Sequence, residues 1–394
     1  MTFTSLQTLA LAALVVYFGR YLKSKIDFIE KYNLPSPVIG GFVVAIVLAV
    51  LKANGMFEMQ FTKEYETGLM IAFFASIGYS ASFKLLREGG RLVIFFLLMT
   101  VGGLLLQLFA GIGLAKLMGL HPLMGVLTGP VALTGGPGTA LAFAPLIEKA
   151  GVDGASVIGL TAAMGGILLG GLVGTPIATY LIHKKQLKDH SRALPLEHEH
   201  LRRLKLKPGS GLLFHFLALA LIMGFGTTLS SYINSFDITL PIYIGAMIVA
   251  AIVRNIEDVR PTFKIEADWI EEIGSVALTL FIATAIMTLK LDELKNAALP
   301  ILVFLGIQTI LVMATALGPS FWVSGRDYEA SVMSAGYAGF MMGTSANAMA
   351  NMHSLTQKYG PAPKAFIAVP LVGSCFIDFI NAAIITFCIN YFVI

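Results

Sequence analysis

The sequence predicts an all-α polytopic membrane protein, built from two five-helix repeats of inverted orientation that each contain a re-entrant hairpin. The first observation is composition: 56% of residues are hydrophobic, 13% are charged and the mean hydropathy is +0.80, whereas soluble domains carry about 25% charged residues. The second is a series of ten apolar runs, most of them near the roughly 20 residues that a membrane span needs. The third is a pair of further apolar segments that glycines interrupt.

The apolar runs divide into two groups of five around a polar segment. The N-terminal group lies within residues 1–182 and predicts spans at 4–22, 36–53, 67–83, 92–115 and 155–182. The C-terminal group lies within residues 211–394 and predicts spans at 211–233, 240–255, 272–289, 299–321 and 365–392. The N-terminus has no cationic region and no small-residue cleavage site, so we expect a retained first span rather than a signal peptide. Residues 183–210 are rich in Lys, Arg and His, and they predict a cytoplasmic linker.

Two apolar segments, 121–149 and 328–353, contain breaks that a continuous membrane helix does not tolerate. The first carries Gly135, Gly136, Pro137 and Gly138 in succession, and Gly and Pro are the poorest helix formers. We interpret each segment as a hairpin that enters and leaves the membrane on the same side.

The distribution of positive charge supports this topology. With the N-terminus outside, the map places 21 of the 27 Lys and Arg residues in cytoplasmic loops and the other six outside. Positively charged residues are enriched in cytoplasmic loops, so we expect both termini on the periplasmic side. A hairpin that crossed the membrane fully would switch the side of every later loop and weaken the bias.

The two halves also resemble each other in sequence. LPSPVIGGFVVAIVLAVL at 34–51 is similar to LPIYIGAMIVAAIV at 240–253, and GPGT at 136–139 corresponds in position to MMGT at 341–344. Because each half has an odd number of spans, the copies have opposite orientations. Inverted repeats with interrupted helices near the membrane midplane are typical of secondary transporters.

The hairpin tips are the candidate substrate site. Non-helical backbone at membrane depth persists only where protein or water satisfies its polar groups, and a helix that restarts there, at about Thr139, directs its positive end at the tip. Asn347 and Asn351 are four residues apart and share one helical face. An alternative is that these small residues only serve helix packing. The candidate substrate-binding residues are Thr134, Gly135, Gly136, Gly138, Thr139, Gly343, Thr344, Ser345, Asn347, Asn351 and Asp378.

Asp378 is the only acidic residue deep within a predicted span, and a carboxylate there is costly. Two functional roles compete: a Na⁺ ligand, or the counter-charge of a substrate amine. A third interpretation is a buried Asp that serves packing. Asn381 lies three positions further on the same face, and Ser76 is a weaker candidate for the same Na⁺ site.

Several classes of function find no support in the motifs. The spans contain no paired acidic residues and no HExxH motif, so an enzyme is not expected. The sequence contains no GxxxxGK[ST] motif, so transport driven directly by ATP is not expected. The excess of positive charge is explained by membrane orientation and predicts no nucleic-acid partner. The residues alone therefore indicate an ion-coupled secondary transporter of a small anion.

The half-repeats, the GGPGTA and GTSANAMANM tips and the basic central loop together resemble the sodium/glutamate symporter family of bacterial inner membranes. The resemblance covers essentially the whole chain, although the second tip reads MMGT and lacks the doubled glycine. It implies symport of L-glutamate with Na⁺ as the coupling ion, and a homodimer in the inner membrane. The closest alternative is a citrate-like carrier of dicarboxylates or 2-hydroxycarboxylates, against which Asp378 argues because a carboxylate repels a purely anionic ligand.

Overall fold

The structure is a computed structural model that describes residues 2–32, 34–54, 59–187, 211–236, 240–289 and 297–393. Most of the predicted linker, from residue 188 to 210, lies outside the described residues. Within the described part the chain is helical, apart from a two-residue parallel pairing of Thr2–Phe3 (β1) with Gln60–Phe61 (β2).

Nine helices are described before the linker. They are α1 (Ser5–Lys25), α2 (Asp27–Lys31), α3 (Ser36–Ala53), α4 (Glu64–Ser80), α5 (Phe83–Glu88), α6 (Gly90–Leu117), α7 (Pro122–Val126), α8 (Gly136–Lys149) and α9 (Ala155–Lys185). Nine more are described after it. They are α10 (Gly211–Asn234), α11 (Ile242–Val259), α12 (Ala267–Met287), α13 (Ala298–Thr315), α14 (Phe321–Val323), α15 (Tyr328–Met341), α16 (Ser345–Tyr359), α17 (Pro363–Pro370) and α18 (Ile377–Val393).

Among the described residues, three wide π-helical turns connect helices at or beside a proline. They are Leu127–Thr134 between α7 and α8, Ala316–Ser320 between α13 and α14, and Leu371–Phe376 between α17 and α18. Proline lacks an N–H and clashes with the preceding turn, and such distortions of a helix are frequent at functional sites.

Eight of the ten predicted spans fall on helical stretches of the described chain that are long and apolar enough to cross a membrane. The other two, 36–53 and 240–255, fall on α3 and α11. The apolar part of α3 is limited to Ser36–Leu51. Helix α11 has 18 residues, but Arg254, Glu257 and Asp258 occupy its last turns.

The helices pack in pairs that link the two halves of the chain. Helix α4 packs against α11 and α12, α12 also packs against α1 and α3, and α10 packs against α11 and α4. Helix α9 packs against α8 and α15, and α18 against the Leu127–Thr134 turn. Two large apolar clusters result, one around α4, α11 and α12 and the other around α15 and α16. The interrupted segments therefore lie within the protein rather than on its surface.

Candidate functional site

The first interrupted segment changes direction at Gly135 and Gly136. Upstream, Gly129 has the non-helical angles φ −105° and ψ −114°, and it precedes Pro130. Gly136 has φ +69°, a left-handed conformation that glycine adopts without a steric penalty. Helix α8 begins at Gly136, three residues before the restart that the sequence suggested. We call Thr134–Thr139 the first tip.

The second interrupted segment is a helix–turn–helix. Helix α15 ends at Met341 and α16 begins at Ser345, and the Thr344 side chain caps α16 by accepting a hydrogen bond from the Asn347 backbone N–H at 3.4 Å. At the far ends, the Tyr328 hydroxyl donates to the Gly360 carbonyl at 2.6 Å. The start of α15 is thus adjacent to the end of α16, which means that the chain folds back on itself. We call Met342–Ser345 the second tip.

The two tips meet. A Cβ atom built on Gly136 lies 3.5 Å from the Gly343 carbonyl oxygen and 3.8 Å from Thr344 Cγ2. Helices α8 and α16 both begin at this point, so the positive ends of two helices of 14 and 15 residues converge. Free backbone N–H groups and partial positive charge at a helix N-terminus favour an anion.

The two asparagines after the second tip are both buried against α9. Asn351 forms a hydrogen bond at both ends of its amide: Nδ2 donates to the Gly170 carbonyl at 3.0 Å, and Oδ1 accepts from the Thr175 hydroxyl at 3.3 Å. Asn347 donates to the Ile167 carbonyl at 2.6 Å, but its Oδ1 has no partner among the described residues. A buried acceptor without a partner is costly, which marks the oxygen of Asn347 as a candidate ligand-binding atom.

Asn381 lies on α18 beside the distorted turn of the first segment. Its Nδ2 donates to the Pro130 carbonyl at 2.9 Å, and its buried Oδ1 finds no hydrogen-bond partner in the described part of the chain. Asp378, one helical turn earlier, is partly buried and forms no ion pair with any described residue. A hard amide oxygen and a carboxylate therefore share a face next to the interrupted backbone.

Ser76 lies at a different interface from Asn381. Its hydroxyl donates to the Phe73 carbonyl at 2.7 Å, and its side chain packs directly against Gly274 of α12. The hydroxyl is thus already engaged within α4, at a contact between α4 and α12.

The remaining predicted site residues have distinct surroundings. A Cβ atom on Gly138 would lie 2.5 Å from Leu278 Cδ1 and 3.3 Å from Phe73 Cε1, so this glycine packs against α12 and α4. Thr139 is buried and lies against Gly135. Ser345 accepts a hydrogen bond from the Ser374 hydroxyl at 3.1 Å, which brings the turn before α18 to the second tip.

Two buried glutamines were not identified from the sequence. Gln107 on α6 accepts a hydrogen bond from the Thr134 hydroxyl at 2.8 Å and donates to the Met341 carbonyl at 2.9 Å. Gln308 on α13 donates to the Gln107 carbonyl at 2.9 Å. Each is the only amide side chain of its largely apolar helix. This contrast between an amide and its apolar neighbours could have identified both residues from the sequence, because a buried amide in a membrane helix needs hydrogen-bond partners.

Comparisons with known proteins find similarity over nearly the whole chain. Residues 1–361 match the family model described as "Sodium/glutamate symporter". Proteins named sodium/glutamate symporter from Escherichia coli (strain K12) and Shigella flexneri are each 37% identical over 389 residues, which are 97% of this chain and 96% of theirs. The protein of that name from Haemophilus influenzae is 35% identical over 390 residues, 98% of this chain and 96% of its own.

Proposed function

Because the chain belongs to the sodium/glutamate symporter family, we propose that it carries L-glutamate into the cell across the inner membrane, with Na⁺ as the coupling ion. The observation that carries this proposal is the extent of the similarity, which spans 97% of the chain and so includes both interrupted segments. The family consists of transporters, and the protein catalyses no chemical reaction on its substrate. The comparisons give no support to the citrate-like alternative.

Glutamate binds between the two tips in this proposal. Its support is the contact of Gly136 with Gly343 and Thr344, where two helix N-termini converge. Glutamate has two carboxylates, and each helix N-terminus stabilises a negative charge by about 0.3–1 kcal/mol, more where the geometry is partly buried. The backbone N–H groups of both tips, the hydroxyls of Thr139, Thr344 and Ser345, and Asn347 Oδ1 are the groups available for orientation.

Na⁺ binds beside the Pro130 kink in this proposal, with Asn381 Oδ1 as one ligand. Carbonyls of unwound backbone coordinate Na⁺ in transporters with interrupted helices. The distorted turn around Gly129 and Pro130 supports such a site, as does the oxygen of Asn381 that lacks a described partner. Asp378 supplies charge from the same face, either to Na⁺ or to the substrate ammonium.

We propose re-entrant hairpins on the basis of contacts within each interrupted segment. Leu127 and Ala140 are 13 residues apart, about 20 Å along a straight helix, yet a Cβ atom on Gly159 would lie within 2.8 and 3.3 Å of them. In the second segment, the bond between Tyr328 and Gly360 joins the outer ends of the two helices.

The proposed inverted repeat agrees with reciprocal helix contacts. Helix α4, the third span of one half, packs on α11, the second span of the other, and α12 packs on α3 in the same relation. Helix α1, the first span of one half, packs on α12, the third span of the other, and α10 packs on α4 in the same relation. Such exchanged pairs are expected for two similar halves related by a two-fold axis.

The orientation and the oligomeric state complete the proposal. The charge bias supports N- and C-termini on the periplasmic side and a cytoplasmic loop between the halves. The homodimer rests on the family resemblance.

The test is uptake of radiolabelled L-glutamate into proteoliposomes that contain the purified protein. We expect accumulation only with an inward Na⁺ gradient, and competition by unlabelled glutamate but not by citrate or malate at equal concentration. Uptake that is unchanged when K⁺ replaces Na⁺ would exclude Na⁺ coupling. Competition by citrate stronger than that by glutamate would establish the alternative substrate class.

A further inference from the structure

Gln107 is a completely buried side chain in the middle of α6, and it contacts both interrupted segments at once. Its Oε1 accepts from Thr134, the residue that precedes Gly135 at the first tip. Its Nε2 donates to the carbonyl of Met341, the last residue of α15 before the second tip. One planar amide thereby joins two segments that are separated by 207 residues in the chain.

The geometry of this contact constrains the tips. An amide presents its acceptor and its donor at a fixed separation, and hydrogen bonds in an apolar surrounding are stronger than in water because the local dielectric constant is low. Since Thr134 and Met341 immediately precede the two turns, a change in their separation changes the gap between Gly136 and Gly343.

We propose that Gln107 is the positioning residue that sets the distance between the two tips and thereby the affinity for the substrate carboxylates. This inference rests on the proposed function, because it assigns the tips as the glutamate site. Gln107 acts through Thr134 and Met341 and does not itself contact the substrate.

Gln308 provides a matched control. It is also a buried glutamine, on α13, and its Nε2 donates to the Gln107 backbone carbonyl at 2.9 Å. Its hydrogen bond is made to the backbone of α6 rather than to either tip. Its Oε1 is buried without a described partner, and a Cβ atom on Gly129 would lie 3.1 Å from its Nε2. The comparison is therefore made at saturating Na⁺, so that an effect on the proposed Na⁺ site beside Gly129 does not enter the KM for glutamate. Loss of this amide removes a similar buried bond, but it does not release Thr134 or Met341.

The first experiment compares Gln107→Met, Gln107→Glu and Gln308→Met in proteoliposomes at saturating Na⁺. Methionine keeps the length of glutamine without its polar groups. Burial favours the neutral form of glutamic acid, which has one donor and one acceptor as glutamine does. We expect Gln107→Met to raise the KM for glutamate about tenfold or more, with the maximal rate changed less, and Gln107→Glu to restore most of the affinity. Gln308→Met lowers the thermal midpoint of the purified protein and leaves KM within about twofold.

The second experiment measures the separation of the two tips by disulfide cross-linking, independently of transport. A cysteine pair, Gly136→Cys with Thr344→Cys in a Cys375→Ala, Cys388→Ala background, reports on their separation, because a Cβ atom on Gly136 lies 3.8 Å from Thr344 Cγ2 and a disulfide forms only between closely placed cysteines. We expect the cross-linking yield to fall at least threefold when Gln107→Met is added, and to remain unchanged with Gln308→Met.

Equal effects of the two glutamine substitutions on KM and on cross-linking would overturn the inference and leave Gln107 a stabilising residue only. Failure of the proposed function is distinguishable, because the unmodified protein would then show no Na⁺-driven glutamate uptake while the cross-linking comparison still reports on the tips.

Discussion

Replacing Gly136 by alanine tests whether the contact between the tips is the substrate site. The added methyl group projects into the gap between the tips, 3.5 Å from the Gly343 carbonyl oxygen and 3.8 Å from Thr344 Cγ2. Both are ordinary van der Waals distances, so the substrate-free protein accommodates the methyl group. Its cost there is confined to the backbone, because Gly136 has φ +69° and alanine in a left-handed conformation costs about 1–2 kcal/mol.

Gly119 is the control that isolates this backbone cost. It has φ +68°, and a Cβ atom built on it meets no atom within 4 Å. Gly119→Ala therefore carries the same strain at the end of α6, away from the tips. Any additional effect of Gly136→Ala comes from the methyl group between the tips.

We expect the methyl group to deny a substrate carboxylate its approach to the backbone N–H groups of the first tip. Loss of one hydrogen bond to a charged group costs about 1.5–3 kcal/mol, which corresponds to roughly a ten- to hundredfold loss of affinity. The assay is glutamate binding by isothermal calorimetry at saturating Na⁺, together with the thermal midpoint of each variant. Equal losses of stability with equal glutamate affinities in the two variants would refute the assignment of the tips as the substrate site.

Three further predictions concern the ion, the topology and the packing of the first tip. Asp378→Asn removes the charge and keeps the shape of the side chain. If Asp378 binds Na⁺, the variant requires a much higher Na⁺ concentration for half-maximal uptake. If Asp378 binds the substrate ammonium group, the affinity for glutamate falls at saturating Na⁺, while the affinity for glutarate, which has no ammonium group, falls less. Unchanged Na⁺ dependence and glutamate affinity would make Asp378 a structural residue. Single cysteines between 184 and 207, in a cysteine-free background, should react with an impermeant maleimide only from the cytoplasmic side, and labelling of intact cells from outside would contradict the topology. Gly138→Val should abolish uptake, because the added side chain collides with Leu278. The double variant Gly138→Val, Leu278→Ala should recover uptake. An inactive double variant of normal thermal stability would show that this collision is not the cause of the lost uptake.

The sequence alone determined the helical elements and the points where they break, because both depend on local chemistry. A run of apolar residues stabilises a helix in lipid whatever its neighbours are, and eight of the predicted spans fall on long apolar helices. Proline and glycine distort a helix through their own backbone, so the interruption at Gly135–Gly138 was visible in the residues themselves. The distortion at Gly129 and Pro130 was not predicted.

The roles of individual polar residues depended on tertiary contacts. Asn347 and Asn351 occupy equivalent positions on one helical face, yet only Asn347 retains an oxygen without a described partner, because Thr175 of α9 reaches Asn351. Ser76 was grouped with Asp378 by residue type, whereas the packing of α4 on α12 turns it toward Gly274. Residue type names the groups that are able to bind a ligand, and packing decides which of them remain available.

The meeting of the tips and the bridge at Gln107 also depend on tertiary structure. The predicted inverted repeats made an approach of the two tips expected, but the register that brings Gly136 to Gly343 is set by the packing of α8 and α15 on α9. Gln107 is one polar residue in an apolar helix, and nothing within its own span indicates Thr134 or Met341 as partners. Hydrophobic periodicity acts between residues within a few turns of one another, whereas these contacts join helices through side chains that only the folded chain brings together.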